Sequence, residues 1–259
     1  MKILLHGNHS RWHVGSEAVW ARMNQLIEGE GGVELAENLK ECDCLIINGE
    51  GTMHDNKGIP KLKLGKRAKD LGKQVHFINS VWQNMTAPET EFIKEFDSVF
   101  VRELISFNEI KSIRPDAKIA TDLAYDFPVV KPKLTRSKIV ATAGAGIKRG
   151  DKGIVRASIR DCSSWQEYID LLTDAKCLYT VWHHEVLAAC KLRIPFVAKR
   201  GNTDKVLGII KRAKVNIPVA DNIKELNSYI DNPPPQEEYN KLFNFLENQK
   251  AFTLRSLGI

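Results

Sequence analysis

Short apolar runs, each followed by a glycine or a polar loop and then by an amphipathic stretch, recur along almost the whole chain. KILLHG, DCLIING and VHFINS are the first three of these runs. Strands that alternate with helices require crossover connections, and such connections produce a parallel sheet that is covered on both faces. The alternation therefore predicts the α/β fold class, with Rossmann-like parallel sheets.

The alternation is interrupted once, at residues 128–138, by the segment PVVKPKLTRSK. This segment is rich in Pro and Lys and has no periodicity, as is typical of a linker. The pattern restarts at KIVATAG with a glycine-containing turn, and it continues until Asn232 and three prolines precede a final helix. We therefore predict an N-terminal α/β domain at 1–130, a C-terminal α/β domain at 131–235, and a helix within 236–259 that packs across both domains.

Charge is distributed unevenly between the two predicted domains. Residues 1–130 carry 16 Lys and Arg against 19 Asp and Glu, a net charge of −3. Residues 131–259 carry 22 against 13, a net charge of +9. A basic half favours an anionic partner, either phosphate groups or nucleic acid, and a basic solvated surface without a partner is the alternative.

Composition and motifs argue against several classes of protein. No run of about 18 apolar residues is present, and the first residues lack the apolar stretch of a signal peptide, so we expect a cytoplasmic protein without a membrane span. The five cysteines lack the spacing of zinc ligands, and we expect them to be reduced and mostly buried. There is no DxD-type motif, which predicts a protein that works without a metal ion.

In a parallel sheet, ligands bind at the carboxyl ends of the strands, so polar residues that directly follow strands are the candidate site residues. Beyond the first strand, Gly15 and Ser16 begin a helix, where Ser16 can cap the helix and backbone N–H groups can hold an anion. Beyond DCLIING, Glu50 and His54 are candidates for a general base that deprotonates an acceptor hydroxyl.

Two further loops of the first half carry candidates. Trp82 and Asn84 follow VHFINS, and an aromatic ring among amides suits the stacking of a carbohydrate or a base. A core position for Trp82 is the alternative. Arg102 lies at the start of a helix, where a cation is unfavourable unless an anion is nearby. We therefore expect Arg102 to bind an anion, which in a group-transfer enzyme would be the anionic donor of the group.

The richest stretch of the second half is YTVWHHE, which leads into a helix. Its adjacent histidines, His183 and His184, should point about 100° apart on that helix. A histidine at a helix N-terminus can donate to a phosphate or transfer a proton. The loop RGNTDK, which opens the next helix, is a second wall for an anion pocket. The donor-binding residues predicted in this half are Trp182, Glu185, Asn202, Thr203 and Lys205, with His184 as a catalytic residue.

The order of these blocks resembles that of the polysaccharide pyruvyl transferase family. HVGSEAV, DCLIINGEGTMHD, VRELIS and TDLAYDF resemble successive blocks of its first half. YTVWHHEVLAACKLRIPFVAKRGNTDK resembles its Arg-x-His helix start, its Gly-x-Pro strand and its Ser-Asn-x-x-Lys loop. The resemblance implies a two-domain architecture like that of GT-B glycosyltransferases, an active site in the interdomain cleft, and transfer of pyruvate from phosphoenolpyruvate to sugar hydroxyls.

Transferred residue by residue, the resemblance matches some positions and not others. His184 falls on the histidine of Arg-x-His, and Asn202 and Lys205 match the loop. Trp182 stands where the family has an arginine, which is expected to grip the carboxylate or phosphate of the donor in a way that Trp cannot. Ser16 stands in place of an acid, and Glu50 interrupts a run of glycines.

Three functions follow from these observations. The first is pyruvyl transfer to a saccharide, with Lys205, His184 and Arg102 around phosphoenolpyruvate. The second is a glycosyltransferase that uses a sugar nucleotide, since Trp182 offers a ring for stacking and the basic half suits a diphosphate. Such an enzyme could act on modified DNA bases. The third is a non-catalytic binding module that has the same fold. No cofactor other than the donor is expected.

Overall fold

The computed structural model describes residues 1–142, 145, 154–229, 232 and 234–259. Its contacts divide the chain into two compact units, and each unit combines segments that are separated in sequence. Unit 1 consists of Met1–Asn8, Trp20–Leu123 and Lys250–Ile259, and unit 2 consists of His9–Val19 and Ala124–Gln249. The boundaries expected at residues 130 and 235 therefore do not coincide with those of the units. His9–Val19 lies in the first half of the sequence but belongs to unit 2, and Lys250–Ile259 lies in the second half but belongs to unit 1.

Unit 1 is built on a parallel sheet of six strands in the order β2-β1-β3-β4-β5-β6. The strands are β1 (Lys2–His6), β2 (Glu34–Leu35), β3 (Cys44–Glu50), β4 (Gln74–Ser80), β5 (Ser98–Val101) and β6 (Lys118–Ile119). Every residue of β3 is buried, as expected for a strand that is covered on both faces. Its Leu45 and Ile47 pack in one core with Phe77 of β4 and Val99 of β5.

Helices and 3₁₀ turns connect these strands or follow the last of them. The helices are α1 (Val14–Glu28), α2 (Ile59–Asp70), α3 (Leu104–Ile110) and α4 (Leu123–Asp126), and the 3₁₀ turns are Ser10–Trp12, Pro88–Glu95 and Leu254–Leu257. The segment Pro88–Glu95, which we expected to be α-helical, is thus a 3₁₀ helix. Helix α3 is capped by Glu103, whose side chain accepts from the backbone N–H groups of Ile105 and Ser106.

Unit 2 is built on a parallel sheet of five strands in the order β11-β10-β9-β7-β8. The strands are β7 (Lys138–Ala141), β8 (Ile154–Arg156), β9 (Ala175–Thr180), β10 (Phe196–Lys199) and β11 (Val219–Ala220). The helices are α5 (Trp165–Leu171), α6 (His183–Lys191), α7 (Lys205–Ala213), α8 (Ile223–Ser228) and α9 (Gln236–Glu247). Tyr179 and Val197, on adjacent strands, lie in the core of this unit.

The two sheets share one strand order. Numbered along the chain within each unit, both run 2-1-3-4-5, and unit 1 has a sixth strand at its edge. The order reverses between β1 and β3 in unit 1 and between β7 and β9 in unit 2. In open parallel sheets such a reversal creates a crevice at the carboxyl ends of the two strands, where ligands bind.

The predicted class of two Rossmann-like parallel α/β units is confirmed. Strand β8 and helix α8 were not predicted, because each is too short to show a period. The glycine-containing turn after β7 lies largely outside the described residues. The final helix ends at Glu247 rather than near residue 253. No helix in the described part of the chain is both long enough and apolar enough to cross a membrane.

Candidate functional site

At the strand-order reversal of unit 1, the ends of β1 and β3 lie against each other. Asn48 Nδ2 donates to the carbonyl oxygen of Gly7 at 3.0 Å. Gly7 has a φ of +97°, and a Cβ built on it would lie 2.4 Å from the carbonyl oxygen of Asn48. Only glycine fits this approach. The crevice therefore begins with two backbones that are closely packed and hydrogen-bonded.

Glu50 is the last residue of β3 and has a left-handed backbone conformation, with φ at 43°. Its side chain is buried, and Asn48 Nδ2 donates to its Oε2 at 3.4 Å. A non-glycine residue in this region costs about 1–3 kcal/mol and is found most often at functional sites. The same conformation recurs at this edge of the sheet, at Asp55, Asn56, Asn79 and Asn84. These loops have the backbone character of a binding site.

Lys61, which the sequence analysis missed, lies beside Glu50. Its Nζ donates to the carbonyl oxygens of Asn48 at 2.6 Å and of Gly49 at 3.3 Å. Burial lowers the pKa of Lys61 to about 8, and the charge of Glu50 partly offsets that effect. A lysine in the first turn of α2 opposes the helix macrodipole, and this is the signal that could have revealed it. Lys61 can hold the turn that carries Glu50 and balance its charge.

His54, the other candidate base, is buried and paired with an acid. Its Nδ1 lies 2.8 Å from Asp55 Oδ2. This hydrogen bond, with a second from Asn84, lowers the pKa of the Asp55 carboxyl group. Asn84 Nδ2 donates to Asp55 Oδ1 at 3.2 Å, so Asp55 brings the predicted His54 and Asn84 together. A carboxylate on one ring nitrogen is the arrangement that orients a histidine for proton transfer.

Trp82 and Arg102 were predicted to bind a ligand, but both have structural roles in unit 1. Trp82 is 1% exposed and lies in the core, edge-on to Phe77, so it offers no ring face to an acceptor. Arg102 Nη1 donates to Asp122 Oδ2 at 2.5 Å, and both side chains are 1% exposed. The anion that Arg102 requires at a helix start is therefore an internal carboxylate, and the prediction that it binds the donor is not supported.

The start of α1 belongs to unit 2 and packs against the start of α6. Ser16 was expected to cap this helix, but the helix begins at Val14, so Ser16 lies in its first turn. The N–H of Ser16 donates to His13 Nδ1 at 3.1 Å. A Cβ on Gly15 would lie 2.5 Å from Cβ of His184, and the rings of His13 and His184 are 5.0 Å apart. Gly15 thus brings two histidines together.

The neighbouring residue His183 faces a different environment, as expected for adjacent helical positions. It lines a small, partly open pocket at the carboxyl ends of β9 and β10. The other polar residues of the lining are Lys199, Arg200, Thr203, Asp204 and Lys205. Three cations against one carboxylate make this pocket suitable for a compact anion. Asn202 is exposed beside it.

Thr203 is the residue of this pocket whose hydroxyl is most informative. The residue is 7% exposed, and its Oγ1 has no hydrogen-bond partner among the described residues. A buried hydroxyl without a partner is costly unless a ligand or water satisfies it. Arg200 Nε lies 3.3 Å from Asp204 Oδ1 and 3.4 Å from Asp221 Oδ1, so its charge is partly balanced. The pocket can donate a hydroxyl and positive charge to one bound group.

Glu185 was predicted to bind the donor, but it is completely buried. Its Oε2 accepts from Thr180 Oγ1 at 2.5 Å and its Oε1 accepts from the N–H of Ile159 at 3.1 Å. Burial raises the pKa of this carboxyl group to about 8. Glu185 therefore holds β9, α6 and the loop after β8 together and does not reach a ligand.

Trp182 is half-buried directly before α6. Its N–H donates to Thr180 Oγ1 at 2.8 Å. Its ring lies 6.2 Å from the ring of His13, and the guanidinium of Arg160 lies over it, 4.4 Å from the ring centroid. Arg160 was not predicted, because nothing in its local sequence distinguishes it from other surface arginines.

Comparisons with known proteins agree with this architecture. The sequence profile of polysaccharide pyruvyl transferase matches residues 3–217. No curated protein matches the sequence significantly. Among solved structures, a functionally uncharacterized protein from Klebsiella pneumoniae has a TM-score of 0.58 at 17% identity, covering 83% of this chain and 89% of its own.

Two further similar structures define the fold class. A candidate UDP-N-acetylglucosamine 2-epimerase from Listeria monocytogenes has a TM-score of 0.60 at 11% identity, covering 94% of this chain and 90% of its own. UDP-N-acetylglucosamine 2-epimerase from Methanocaldococcus jannaschii, in complex with its sugar nucleotide and UDP, has a TM-score of 0.53 at 10% identity, covering 95% and 99%. The predicted GT-B-like class is confirmed by this similarity.

Proposed function

Because this chain belongs to the polysaccharide pyruvyl transferase family, we propose that it transfers the three-carbon unit of phosphoenolpyruvate to two hydroxyls of a saccharide. Both hydroxyl oxygens bond to C2 of the donor, one hydroxyl proton goes to C3, and the bond between C2 and the phosphate oxygen breaks, so that inorganic phosphate leaves with the other proton. The basic pocket of unit 2 is the observation that carries the proposal. Phosphoenolpyruvate is small and highly charged, and the pocket offers three cations and the buried hydroxyl of Thr203. A pocket of this chemistry suits a phosphate group better than an uncharged sugar.

In this proposal, unit 2 binds the donor. Lys205 and Thr203 hold the phosphate, and positive charge there stabilises the phosphate as it leaves. Helix α7 begins at Lys205, and its first residues, Lys205, Val206 and Leu207, line the same pocket, so a helix N-terminus lies at the pocket wall. His183 lines the pocket, and His184 lies with His13 and Gly15 on the neighbouring face of α6. Either histidine is a candidate for proton transfer in this proposal.

For the acceptor, we propose Glu50 as the general base. Its backbone strain and its position at the strand-order reversal of unit 1 support this role. Lys61 then acts as the residue that positions the Glu50 turn, through its bonds to the carbonyl oxygens of Asn48 and Gly49. His54, oriented by Asp55, is the second candidate for the base.

A sugar-nucleotide donor is the second candidate function, and the half-buried Trp182 is the feature that favours it. An aromatic ring at the edge of a site can stack on a base. However, the guanidinium of Arg160 already covers one face of this ring. Stacking is therefore restricted to the other face, and phosphoenolpyruvate is the donor that we prefer.

Thermal unfolding with phosphoenolpyruvate and with a panel of sugar nucleotides tests the donor. A ligand at 100 times its Kd stabilises a protein by about 2.7 kcal/mol, which is a readily measured shift in Tm. Phosphate release is then measured with saccharides, with nucleic acid as a further acceptor. A shift with phosphoenolpyruvate and phosphate release that depends on a saccharide would support the proposal. A shift with one sugar nucleotide alone would favour a glycosyltransferase, and no shift and no release would favour a binding module.

A further inference from the structure

Unit 2 holds an arginine on an aromatic ring beside its histidine pair. The guanidinium of Arg160 lies 4.4 Å from the ring centroid of Trp182, which is the geometry of a cation–π contact. Arg160 is exposed, and its side chain has no ion pair or hydrogen bond among the described residues. A guanidinium has five N–H donors in a planar fork that matches a carboxylate or phosphate. No described residue occupies these donors, and the contact with the ring orients the plane of the guanidinium.

A single buried carboxyl group, that of Glu185, fixes the backbone on both sides of this stack. Glu185 Oε1 accepts from the N–H of Ile159, the residue before Arg160, at 3.1 Å. Glu185 Oε2 accepts from Thr180 Oγ1. Thr180 Oγ1 in turn accepts from the N–H of Trp182 at 2.8 Å. Because one side chain holds both segments, the stack is positioned before any ligand arrives, which lowers the entropy cost of binding.

The loop of Arg160 is held at further points. The N–H of Arg160 donates to Ser158 Oγ at 3.2 Å, and the N–H of Asp161 donates to the carbonyl of Ser158 at 3.0 Å. The carbonyl oxygen of Ile159 accepts from the N–H of Val14, the first residue of α1, at 3.2 Å. The backbone that carries the guanidinium is therefore a tight, multiply bonded turn rather than a free surface loop.

The stack also lies where the topology predicts a ligand. Arg160 follows β8 and Trp182 follows β9, and these strands flank β7 in the sheet. The order of strands reverses between β7 and β9, so the stack stands at the carboxyl edge of the sheet beside the expected crevice. The ring of Trp182 lies 6.2 Å from His13, which in turn lies 5.0 Å from His184. A cation, a histidine pair and a helix start thus converge at one edge.

We propose that Arg160 binds an oxyanion of the donor, its carboxylate or its phosphate, and that Trp182 is the support that orients the guanidinium. This assignment rests on the proposed function, because the ligand that Arg160 would bind is the donor proposed for unit 2. Carboxylate and phosphate share the chemistry that recognises a guanidinium fork, so the probes must separate them.

Isothermal titration of the full chain with four probes separates these groups: phosphoenolpyruvate, pyruvate, inorganic phosphate and UDP. Arg160→Ala should weaken phosphoenolpyruvate binding about 10- to 100-fold, the range of a charge-assisted bidentate contact. Arg160→Lys should recover little of it, since an ammonium has no planar fork. If pyruvate binding falls with Arg160→Ala and phosphate binding does not, the carboxylate is the group that is bound, and the reverse result assigns the phosphate.

Variants of the ring test its supporting role. Trp182→Phe keeps an aromatic face and should stay within about threefold of the wild-type Kd, whereas Trp182→Leu should weaken binding several-fold more. Arg136→Ala removes an exposed arginine of the same unit and is the matched control, which should leave every Kd unchanged. Tm is measured for each variant, so that a loss of affinity is not confused with unfolding.

The outcomes separate this assignment from the proposed function. If the wild-type protein binds phosphoenolpyruvate and Arg160→Ala binds it equally well, the assignment of Arg160 is wrong and the proposed function stands. If Arg160→Ala loses affinity but Trp182→Leu does not, the supporting role of the ring is wrong. If the wild-type protein binds none of the four probes, both the donor proposal and this assignment are wrong.

Discussion

Gly15 and His184 approach so closely that a side chain on Gly15 would occupy the space of the histidine. A Cβ at this position would lie 2.5 Å from Cβ of His184 and 2.8 Å from its Nδ1. Both residues were predicted from separate motifs, one at the start of α1 and one at the start of α6. Their contact explains why the first motif requires glycine: α1 can start against α6 only if no side chain intervenes.

Gly15→Ala should therefore destabilise the protein. Alanine is better than glycine in a helix by about 1 kcal/mol, so propensity alone predicts stabilisation. Overpacking against His184 opposes this and typically costs about 1–3 kcal/mol. We expect a net loss of stability in urea unfolding, together with weaker donor binding as His184 is displaced. Gly31→Ala is the control, because nothing lies within 4 Å of its Cβ. A Gly15→Ala protein as stable as that control would show that the helix start shifts freely.

Lys61 predicts a change of stability with alkaline pH. Its pKa is lowered to about 8 in the folded protein, against 10.5 for an ordinary lysine. Between these values the unfolded chain binds the proton and the native protein does not, so the free energy of unfolding should rise with pH by at most about 1.4 kcal/mol per unit. Lys61→Met should lack this rise.

The measurement is urea unfolding of wild type and variant at several pH values from 7.5 to about 10.5. The difference between the two proteins isolates Lys61 from other groups that titrate there. Lys57→Met, at an exposed position of the same loop region, is the control and should run parallel to wild type. A constant difference between wild type and Lys61→Met across the range would contradict the burial of an ionisable lysine.

Glu185 predicts the opposite slope at lower pH. Burial raises its pKa to about 8 in the folded protein, against 4.5 for an ordinary glutamate. Between these values the unfolded chain has released the proton and the native protein still holds it, so stability should fall as pH rises from about 4.5 to 8. Glu185→Gln cannot ionise and should lose this fall, so that its stability relative to wild type increases over the range.

Denaturant unfolding at pH 5, 6, 7 and 8 tests this, with Glu28→Gln at an exposed position as the control. The relative stability of Glu185→Gln should change by up to about 1.4 kcal/mol per pH unit. If instead wild type gains stability over Glu185→Gln as pH rises, Glu185 is ionised in the folded protein and its carboxylate is stabilised by the bonds from Thr180 and Ile159.

Periodicity predicted most of the fold because it is a local property. Apolar runs such as those of β3 and β4 appear in the sequence wherever a strand is covered on both faces. Elements of only a few residues, such as β8 and α8, have no period and were missed. The unit boundaries were also beyond prediction, because they depend on contacts between segments far apart in the chain.

The candidate site was predictable only to the level of its loops. The loops that carry Glu50, His54 and His184 stand at the strand ends where the sequence placed them. A residue that follows a strand can line a site or lie in the core, and the sequence pattern is the same in both cases. Trp82 and Glu185 each follow a strand, but both are buried and neither lines a site. The stack of Arg160 on Trp182 was not predictable, because it joins two loops that are distant in sequence. The resemblance to the family led us to expect an arginine at the position of Trp182. The stack places the guanidinium of Arg160 over the ring of this tryptophan.

Metal independence remains a prediction of the sequence, from its lack of a DxD-type motif. If the reaction needs no metal ion, positive side chains of the protein must stabilise the leaving phosphate in its place. Lys199 and Lys205 line the basic pocket and are candidates for this role. Phosphate release should therefore be unchanged after dialysis against EDTA. Activity that is lost with EDTA and restored by magnesium or manganese would contradict this prediction.

Thr203 gives the sharpest test of the basic pocket, because its hydroxyl can be replaced by a methyl group with little change in the shape of the side chain. Thr203→Val replaces the buried hydroxyl by a methyl group, and Thr203→Ser keeps the hydroxyl while losing the methyl. If the hydroxyl donates to the bound donor, Thr203→Val should weaken phosphoenolpyruvate binding about tenfold, the effect of one hydrogen bond to a charged group. Thr203→Ser should bind nearly as wild type does.

The stability of the same two variants without ligand tests whether the hydroxyl has a structural role. Since Oγ1 has no partner among the described residues, Thr203→Val should be as stable as wild type, or more stable, when no ligand is present. Lys205→Ala adds a second measure, because loss of its charge should weaken the donor as well. Weaker binding in Thr203→Val without loss of stability would assign the hydroxyl to the ligand. Lower stability of the ligand-free variant with an unchanged Kd would instead make it a structural residue and remove it from the donor site.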